Sequence, residues 1–291
     1  MSSIFVFPGQ GAQAVGMGRE LYETNAAARA VFDEVDDALN QKLSDVIFNG
    51  PMEELTLTAN VQPAIMATSI AMLRASNELL PEYVAGHSLG EYTALCAAGA
   101  LSLADTAKLL RVRGNAMQTA VPVGHGLTAV ILGLDIDTVR DVCAQTGCDV
   151  ANDNCPNQVV ISGTKEVVED TMSKLKDAGA KRAMPLALSV PVHCKIQAPA
   201  ADAMHNALES VNIDTPKAKF ISNKTADVLM NPNEIKDELV YQMTHGVRWR
   251  ESVLKMHELG ITEMVEIGPG NVLTGLAARV CPEIDVKKLE I

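Results

Sequence analysis

Tyr83-Val-Ala-Gly-His-Ser-Leu-Gly-Glu-Tyr-Thr-Ala-Leu-Cys-Ala-Ala98 carries a strand, a tight turn and a helix in immediate succession. Tyr83-Val-Ala85 reads as a short strand, and Glu91 to Ala98, rich in Ala and Leu, as a buried helix. Between them Gly86-His-Ser-Leu-Gly90 is a G-x-S-x-G, in the context that a nucleophile elbow requires. The glycines permit a sharp turn, which pushes the Ser88 hydroxyl into the open. The helix N-terminus behind it offers N–H groups to a developing oxyanion.

The same β-then-α step recurs outward in both directions, which predicts an α/β fold with a mainly parallel sheet. Toward the N-terminus, Ile4-Phe-Val-Phe7 is an apolar first strand ended by Pro8-Gly9. Glu20 to Leu39 and Gln62 to Glu78 follow as helices, the second with Pro63 in its first turn. Toward the C-terminus, Ser102-Leu-Ala-Asp105 has capping-box spacing and opens a helix to about Thr119. Pro122 and Gly124 end it.

The next segment changes pattern. Leu127 to Leu134 is a strand, Asp137 to Gln145 a helix, and Asp149 to Ala151 and Gln158 to Ser162 are strands around a turn-rich Asn152-Asp-Asn-Cys-Pro-Asn157. Glu166 to Ala178 is a helix and Arg182 to Leu188 a strand. That order, βαββαβ, predicts a ferredoxin-like unit of about 60 residues, enough for a small subdomain. Pro and Gly near 122–126 and 189–191 mark its borders, so the expected division is 1–124 with 190–291 against 125–189. Helices at Ile196 to Val211, Ile235 to Met243 and Trp249 to Leu259 then resume the main pattern, with strands at Phe220-Ile-Ser222 and Glu263 to Ile267. Gly268-Pro-Gly270 turns into a final helix, Val272 to Val280.

Composition bounds the function. The 291 residues carry 24 Lys and Arg against 36 Asp and Glu, a net charge of −12. That length suits one large domain or one domain carrying a smaller one. The acidic balance argues against nucleic-acid and membrane-surface binding, since both partners are polyanions. No apolar stretch approaches the roughly 18 residues of a spanning helix. Met1 to Gly18 has no basic side chain ahead of Arg19, so no secretory signal is expected. The six cysteines (Cys96, Cys143, Cys148, Cys155, Cys194 and Cys281) form no C-x-x-C pair, which suits reduced thiols in a cytoplasmic enzyme. His193-Cys194 has no second pair to complete a zinc site, and no metal is expected.

A serine at its free pKa needs a base. Of six histidines, His87 points away from Ser88 if the turn is an elbow. His125, His205 and His257 are expected to face solvent, and His245 sits in a Gly-containing loop. His193 has the lead. It follows Ser189-Val-Pro191 at the subdomain border, where ligand clefts form. Phe7-Pro-Gly-Gln-Gly11 is either an ordinary βα turn or a loop whose N–H groups approach a ligand. It has neither dinucleotide nor P-loop spacing. Arg111 and Arg113 lie about 200° apart on one helix, so only one can face a pocket. An inward arginine needs an anion, supplied either by a bound carboxylate or by an acidic side chain.

Taken together these motifs resemble one family, the malonyl-CoA:acyl-carrier-protein transacylases of type II fatty-acid synthesis. The resemblance spans essentially the whole chain. It rests on Phe7-Pro-Gly-Gln-Gly11, Gln62-Pro-Ala64, Gly86-His-Ser-Leu-Gly-Glu-Tyr92, Arg113-Gly114, Gln158-Val-Val-Ile-Ser-Gly163, Ser189-Val-Pro-Val-His193, Val247-Arg-Trp249 and Glu266-Ile-Gly-Pro-Gly270. It implies a large α/β hydrolase-like domain with a ferredoxin-like insertion. Ser88 would be the nucleophile and His193 its base, oriented by a backbone carbonyl around Arg248. Gln10 and Leu89 would supply oxyanion N–H groups, Arg113 would bind the free carboxylate of malonate, and Gln62 and Arg248 would complete the substrate site. The partners implied are malonyl-CoA and holo acyl carrier protein, with no cofactor; a monomer is the default expectation. Two positions depart from the family: Arg248, where Gln is frequent, and Val192, where Ser is frequent. The rival readings are a discrete malonyltransferase serving a polyketide synthase, a serine thioesterase or other hydrolase, and a non-catalytic binding module. Anionic partners on an acidic chain require a local basic patch, for which Lys181, Arg182, Lys195, Arg248, Arg250 and Arg279 are the candidates.

Overall fold

Strand Ser2–Phe7 divides its side chains between two cores. Phe5 and Phe7 pack with Phe32, Leu43 and Ile65, while Ile4 and Val6 pack with Trp249, Met256 and Met264. A strand buried on both faces belongs to a parallel sheet covered by helices on both sides. The computed structural model, which describes residues 2–76 and 78–291, has that architecture. In chain order the described strands are β1 (Ser2–Phe7), β2 (Tyr83–Gly86), β3 (Gly126–Leu132), β4 (Asp149–Cys155), β5 (Gln158–Thr164), β6 (Arg182–Pro185), β7 (Lys219–Ile221), β8 (Val228–Leu229), β9 (Ile261–Glu266) and β10 (Asp285–Lys288).

The first sheet runs β10-β9-β1-β2-β7-β8, parallel throughout except for β7 with β8. β1 and β2 are neighbours in register, Phe7 opposite Gly86. The loop after each strand therefore emerges side by side at the carboxyl edge, the usual place for a ligand crevice in a parallel sheet.

The second sheet is antiparallel, ordered β4-β5-β3-β6. With the helices Ile136–Thr146 and Lys165–Asp177 it follows the βαββαβ order, around its own core of Ile131, Val139, Ile161 and Leu175. Strand β4 is tied to the rest of the chain. Asp153 N–H donates to Val247 O and Val247 N–H to Ala151 O, both at 2.9 Å.

The structure differs from the sequence expectations at particular places. The expected helix 20–39 breaks in two, Arg19–Thr24 and Ala26–Leu39, because the Asn25 side chain caps the second by accepting the Ala27 and Ala28 N–H groups. The helix expected from Gln62 begins at Thr58, which places Pro63 beyond the first turn; Asn77, inside the expected span, lies outside the described residues. The stretch 152–157 is not a turn throughout. β4 continues to Cys155 with two irregularities, and only Pro156 and Asn157 turn. Its polar side chains suggest a loop, but His87 and Arg250, outside the second sheet, bond the side chains of Asn154 and Asp153. Helices Leu43–Asn49 and Met52–Thr56 and strands β8 and β10 are short and were not expected. Among the described residues no helix is long and apolar enough to cross a membrane.

Candidate active site

The turn after β2 is dictated by close approach. A Cβ on Gly86 would lie 1.9 Å from the Gly90 carbonyl carbon, and one on Gly90 would lie 2.2 Å from Phe7 O. Between them Ser88 takes φ 55°, a left-handed conformation that costs a non-glycine residue about 1–2 kcal/mol. Four hydrogen bonds hold it there. His87 N–H donates to Phe7 O (3.0 Å), Gly90 N–H to His87 O (2.9 Å), Ser88 N–H to Asn223 Oδ1 (2.8 Å) and Asn223 Nδ2 to Gly86 O (2.7 Å). Asn223 lies just beyond β7, the next strand of the sheet.

His193 also has positive φ, 51°, and is 3% exposed. Its Nε2 lies 2.7 Å from Ser88 Oγ and its Nδ1 2.7 Å from Gln242 O. A carbonyl can only accept, so Nδ1 carries the hydrogen and Nε2 is left as the acceptor for the Ser88 hydroxyl. Burial, and then the charge of Arg113, lower the imidazole pKa to about 3, so the ring is a neutral base near pH 7. The orienting carbonyl belongs to Gln242, not to the segment around Arg248, which corrects the expectation. Gln242 follows the helix Pro232–Tyr241, at a terminus whose carbonyls are free to face elsewhere. Arg248 precedes the helix Trp249–Glu258, and its carbonyl is taken by Ser252 N–H at 2.9 Å.

Arg113, on the helix Leu103–Ala120, is 1% exposed. Its Nη1 donates to Gln62 Oε1 (2.8 Å), and its Nη2 to Gln242 Oε1 (2.7 Å) and to Ser88 Oγ (3.1 Å). Its Nε is buried without a partner. None of the ion pairs among the described residues includes Arg113. Among the described residues no acidic side chain is therefore bonded to it. Arg111, half-buried on the other side of the helix, donates to Asn60 Oδ1 at 2.7 Å.

Ser88, His193, Arg113, Gln62, Gln10 and Leu89 all line one cavity of about 430 Å³. Neither the Gln10 nor the Leu89 N–H donates to a protein acceptor among the described residues. Val160 of β5 and Leu186 and Leu188, which follow β6, close the other wall, and Val192 stands beside His193. Arg248 is not part of the lining. Its guanidinium donates to Lys224 O at 3.1 Å and pairs with Glu251, turned away from the cavity by those partners. His87 also lines the cavity, but its Nε2 lies 2.9 Å from Asn154 Oδ1 and its ring packs against Trp249. His125, His205, His245 and His257 are exposed.

Two residues of the site escaped sequence reasoning, Gln242 and Asn223, and so did Glu91, which bonds to both from outside the cavity lining. Glu91 sits next to the G-x-S-x-G, and its place in a buried helix was the available signal. Asn223 and Gln242 carry no local signal, since each follows an ordinary element and acts only across space. Of the six basic candidates, Lys195, Arg248 and Arg250 pair with Asp149, Glu251 and Asp153. Arg279 donates to Gln158 Oε1, a cavity-lining residue, at 2.6 Å. Lys181 and Arg182 are exposed on and beside β6. Among the described residues no group of three or more His, Cys, Asp or Glu is placed to hold a metal ion.

Residues 4–289 match the family model described as acyl transferase domain. A Bacillus subtilis protein, malonyl CoA-acyl carrier protein transacylase, is 47% identical over 96% of this chain and 91% of that protein. The crystal structure of an acyl-carrier-protein S-malonyltransferase from Bartonella henselae superposes with a TM-score of 0.97 at 48% identity, covering 100% of this chain and 96% of that one. A complex of a type II PKS acyl-carrier protein with its malonyl-transacylase matches at 39% identity and a TM-score of 0.95, over 99% and 95% of the two chains.

Proposed function

This chain belongs to the acyl transferase family, among the malonyl CoA-acyl carrier protein transacylases, and we propose that it moves a malonyl group from malonyl-CoA to the phosphopantetheine thiol of acyl carrier protein through a malonyl-Ser88 intermediate. The observation that carries the reading is Arg113, a buried cation without a carboxylate partner, bonded to the hydroxyl of Ser88 in the same cavity. A buried charge left in this way is costly unless a ligand completes it.

His193 Nε2 takes the Ser88 proton as Oγ attacks the thioester carbonyl. The oxyanion forms beside the Leu89 and Gln10 N–H groups, each such donor supporting about 10²–10³ in rate. The tetrahedral adduct collapses, CoA leaves, and His193 returns the proton to its sulfur. The carrier thiol then gives its proton to His193 and attacks malonyl-Ser88, and Ser88 recovers the proton as the ester bond breaks. One thioester is exchanged for another, so the reaction is reversible and needs no added cofactor. The Arg113 guanidinium faces the free carboxylate of the acyl group, with Gln62 and Gln242 holding it in place. An acetyl group would leave that cation unpaired, which is the basis of selectivity. Arg248 has no part in holding substrate in this reading.

The division into 1–124 with 190–291 and the inserted 125–189 serves transfer over hydrolysis. The inserted unit, through Val160, Leu186 and Leu188, covers the acyl-enzyme from water until a thiol arrives. CoA thioesters place the reaction in the cytoplasm, where it supplies extender units for fatty-acid synthesis.

The test is a product balance with malonyl-, methylmalonyl- and acetyl-CoA, with and without holo carrier protein. Malonyl-carrier formed in step with free CoA is the expected result; free malonate as the main product would establish a hydrolase instead. Ser88→Ala should abolish covalent labelling by radiolabelled malonyl-CoA and lower transfer by at least about 10³-fold. A labelled variant would remove Ser88 as the nucleophile.

A further inference from the structure

Behind the turn lies a second polar layer that does not line the cavity. Glu91, in the first turn of the helix Gly90–Ala97, is fully buried. Its Oε1 accepts the Asn223 backbone N–H at 2.7 Å, and its Oε2 accepts Gln242 Nε2. Both neighbours hold reactive groups. Asn223 accepts the Ser88 N–H, and Gln242 Oε1 accepts Arg113 Nη2. The Glu91 carboxyl is thus one bond removed from the Ser88 N–H on one side and from the arginine on the other, and touches neither the hydroxyl nor the guanidinium in a hydrogen bond.

We propose that Glu91 is a positioning residue for acyl selection: by accepting from Gln242 Nε2 it holds the Gln242 amide with its oxygen toward Arg113, and so keeps the guanidinium aimed at the acyl carboxylate. The physical need is polarity. Arg113 offers only donors, so the accepting end of the Gln242 amide must face it. The donating end then faces acceptors, the Glu91 carboxyl as its near partner and Ser88 O at 3.4 Å. An amide at position 91 could turn either way, whereas both oxygens of a carboxyl can accept. Burial, and then the charge of Glu238, raise the Glu91 carboxyl well above its usual range. Glu238 is held by Ser222 Oγ (2.9 Å) and Lys224 N–H (2.9 Å). A protonated carboxyl keeps accepting lone pairs on both oxygens, so Glu91 can still accept from Asn223 and Gln242 and the role holds for the neutral acid.

The proposal rests on the malonyl-transfer reading and is tested in two ways. Glu91→Gln removes one accepting atom. The backbone N–H of Asn223 cannot turn, but the Gln242 amide can, so the loss falls on Gln242 and turns its nitrogen toward Arg113. The ratio of malonyl to acetyl loading on Ser88 should fall about 10- to 100-fold, the scale of one hydrogen bond to a charged group, with acetyl loading within about threefold of wild type. Adding Glu91→Gln to Gln242→Met should shift that ratio no further, since one acts through the other. Equal slowing of both acyl groups, or effects that multiply, would overturn the proposal by showing a general structural role. The second measurement needs no turnover: protection of Ser88 by free malonate against a neutral sulfonyl fluoride. Malonate should protect wild type and protect Glu91→Gln at least about tenfold less well. Equal protection of the two proteins, or none in wild type, overturns the role of Glu91. Wild-type protein that is protected by malonate yet gives no malonyl-Ser88 overturns the transfer reading alone.

Discussion

Arg113 and Arg250 occupy two regions of the molecule built on opposite logic. Arg250, on the seam between β4 and the helix Trp249–Glu258, grips the buried Asp153 with its Nε at 3.0 Å from both carboxylate oxygens and its Nη2 at 2.8 Å from Oδ2. Asp153 raises its pKa, as an ion pair should. Arg113, on the cavity floor, is more deeply buried and has only neutral acceptors, and burial lowers its pKa. The seam is finished without a ligand; the cavity is not. A charged group complete in its protein partners serves cohesion, and one left incomplete in a cavity serves a ligand.

That contrast can be broken most forcefully at Arg113. Arg113→Ala should lower kcat/KM for malonyl loading by about 10²–10³-fold and raise acetyl loading, so the preference between them collapses. Competition between the two labelled thioesters measures it, and unchanged preference would sink the arginine's role as anchor. Arg250→Ala should do the reverse. It strands a buried Asp153 and should cost about 2–3 kcal/mol of stability in denaturant titration, since the arginine is part-exposed, while acyl preference stays as in wild type. A shift in preference there would mean that the seam shapes the cavity.

The smallest effect lies in pH. His193 has its ordinary value of 6.5 lowered to about 3, by burial first and by Arg113 second. Wild-type loading should therefore stay flat as pH falls from 8 to 5, whereas in Arg113→Ala the acid limb should move upward. The same shift affects stability. Between about 6.5 and about 3 the unfolded chain binds a proton that the folded chain refuses. Stability due to this group is therefore fully present above 6.5 and declines as pH falls through that window. Denaturation midpoints should decline less steeply in His193→Gln.

Much of the fold was legible because its signals are local. The apolar run Ile4–Phe7, the capping Ser102 and the change of pattern near 126 each follow from neighbours in sequence, and each appears in the structure. Asn25 reads as helix interior because helix-forming residues flank it on both sides, and only the fold shows its side chain capping Ala27 and Ala28. The Asn152-Asp-Asn154 run was misread because turn-forming residues were serving as strand residues, bonded to His87, Val247 and Arg250 across the seam. Of the candidate site, Ser88 announced itself through its glycines, and His193 only through its place at a border.

The sequence by itself determined the elements and the chemistry available to them, since periodicity, glycine placement and residue type are properties of short stretches. It set the strand-turn-helix around Ser88 and the presence of one inward arginine on the helix Leu103–Ala120. Tertiary structure alone decided which carbonyl orients His193, that Arg248 faces away from the cavity, and that Arg113 meets amides rather than a carboxylate. Those outcomes depend on where chain ends of different helices and strands converge. Gln242 reaches His193 across 49 residues and Ser88 across 154, and no local pattern encodes such distances.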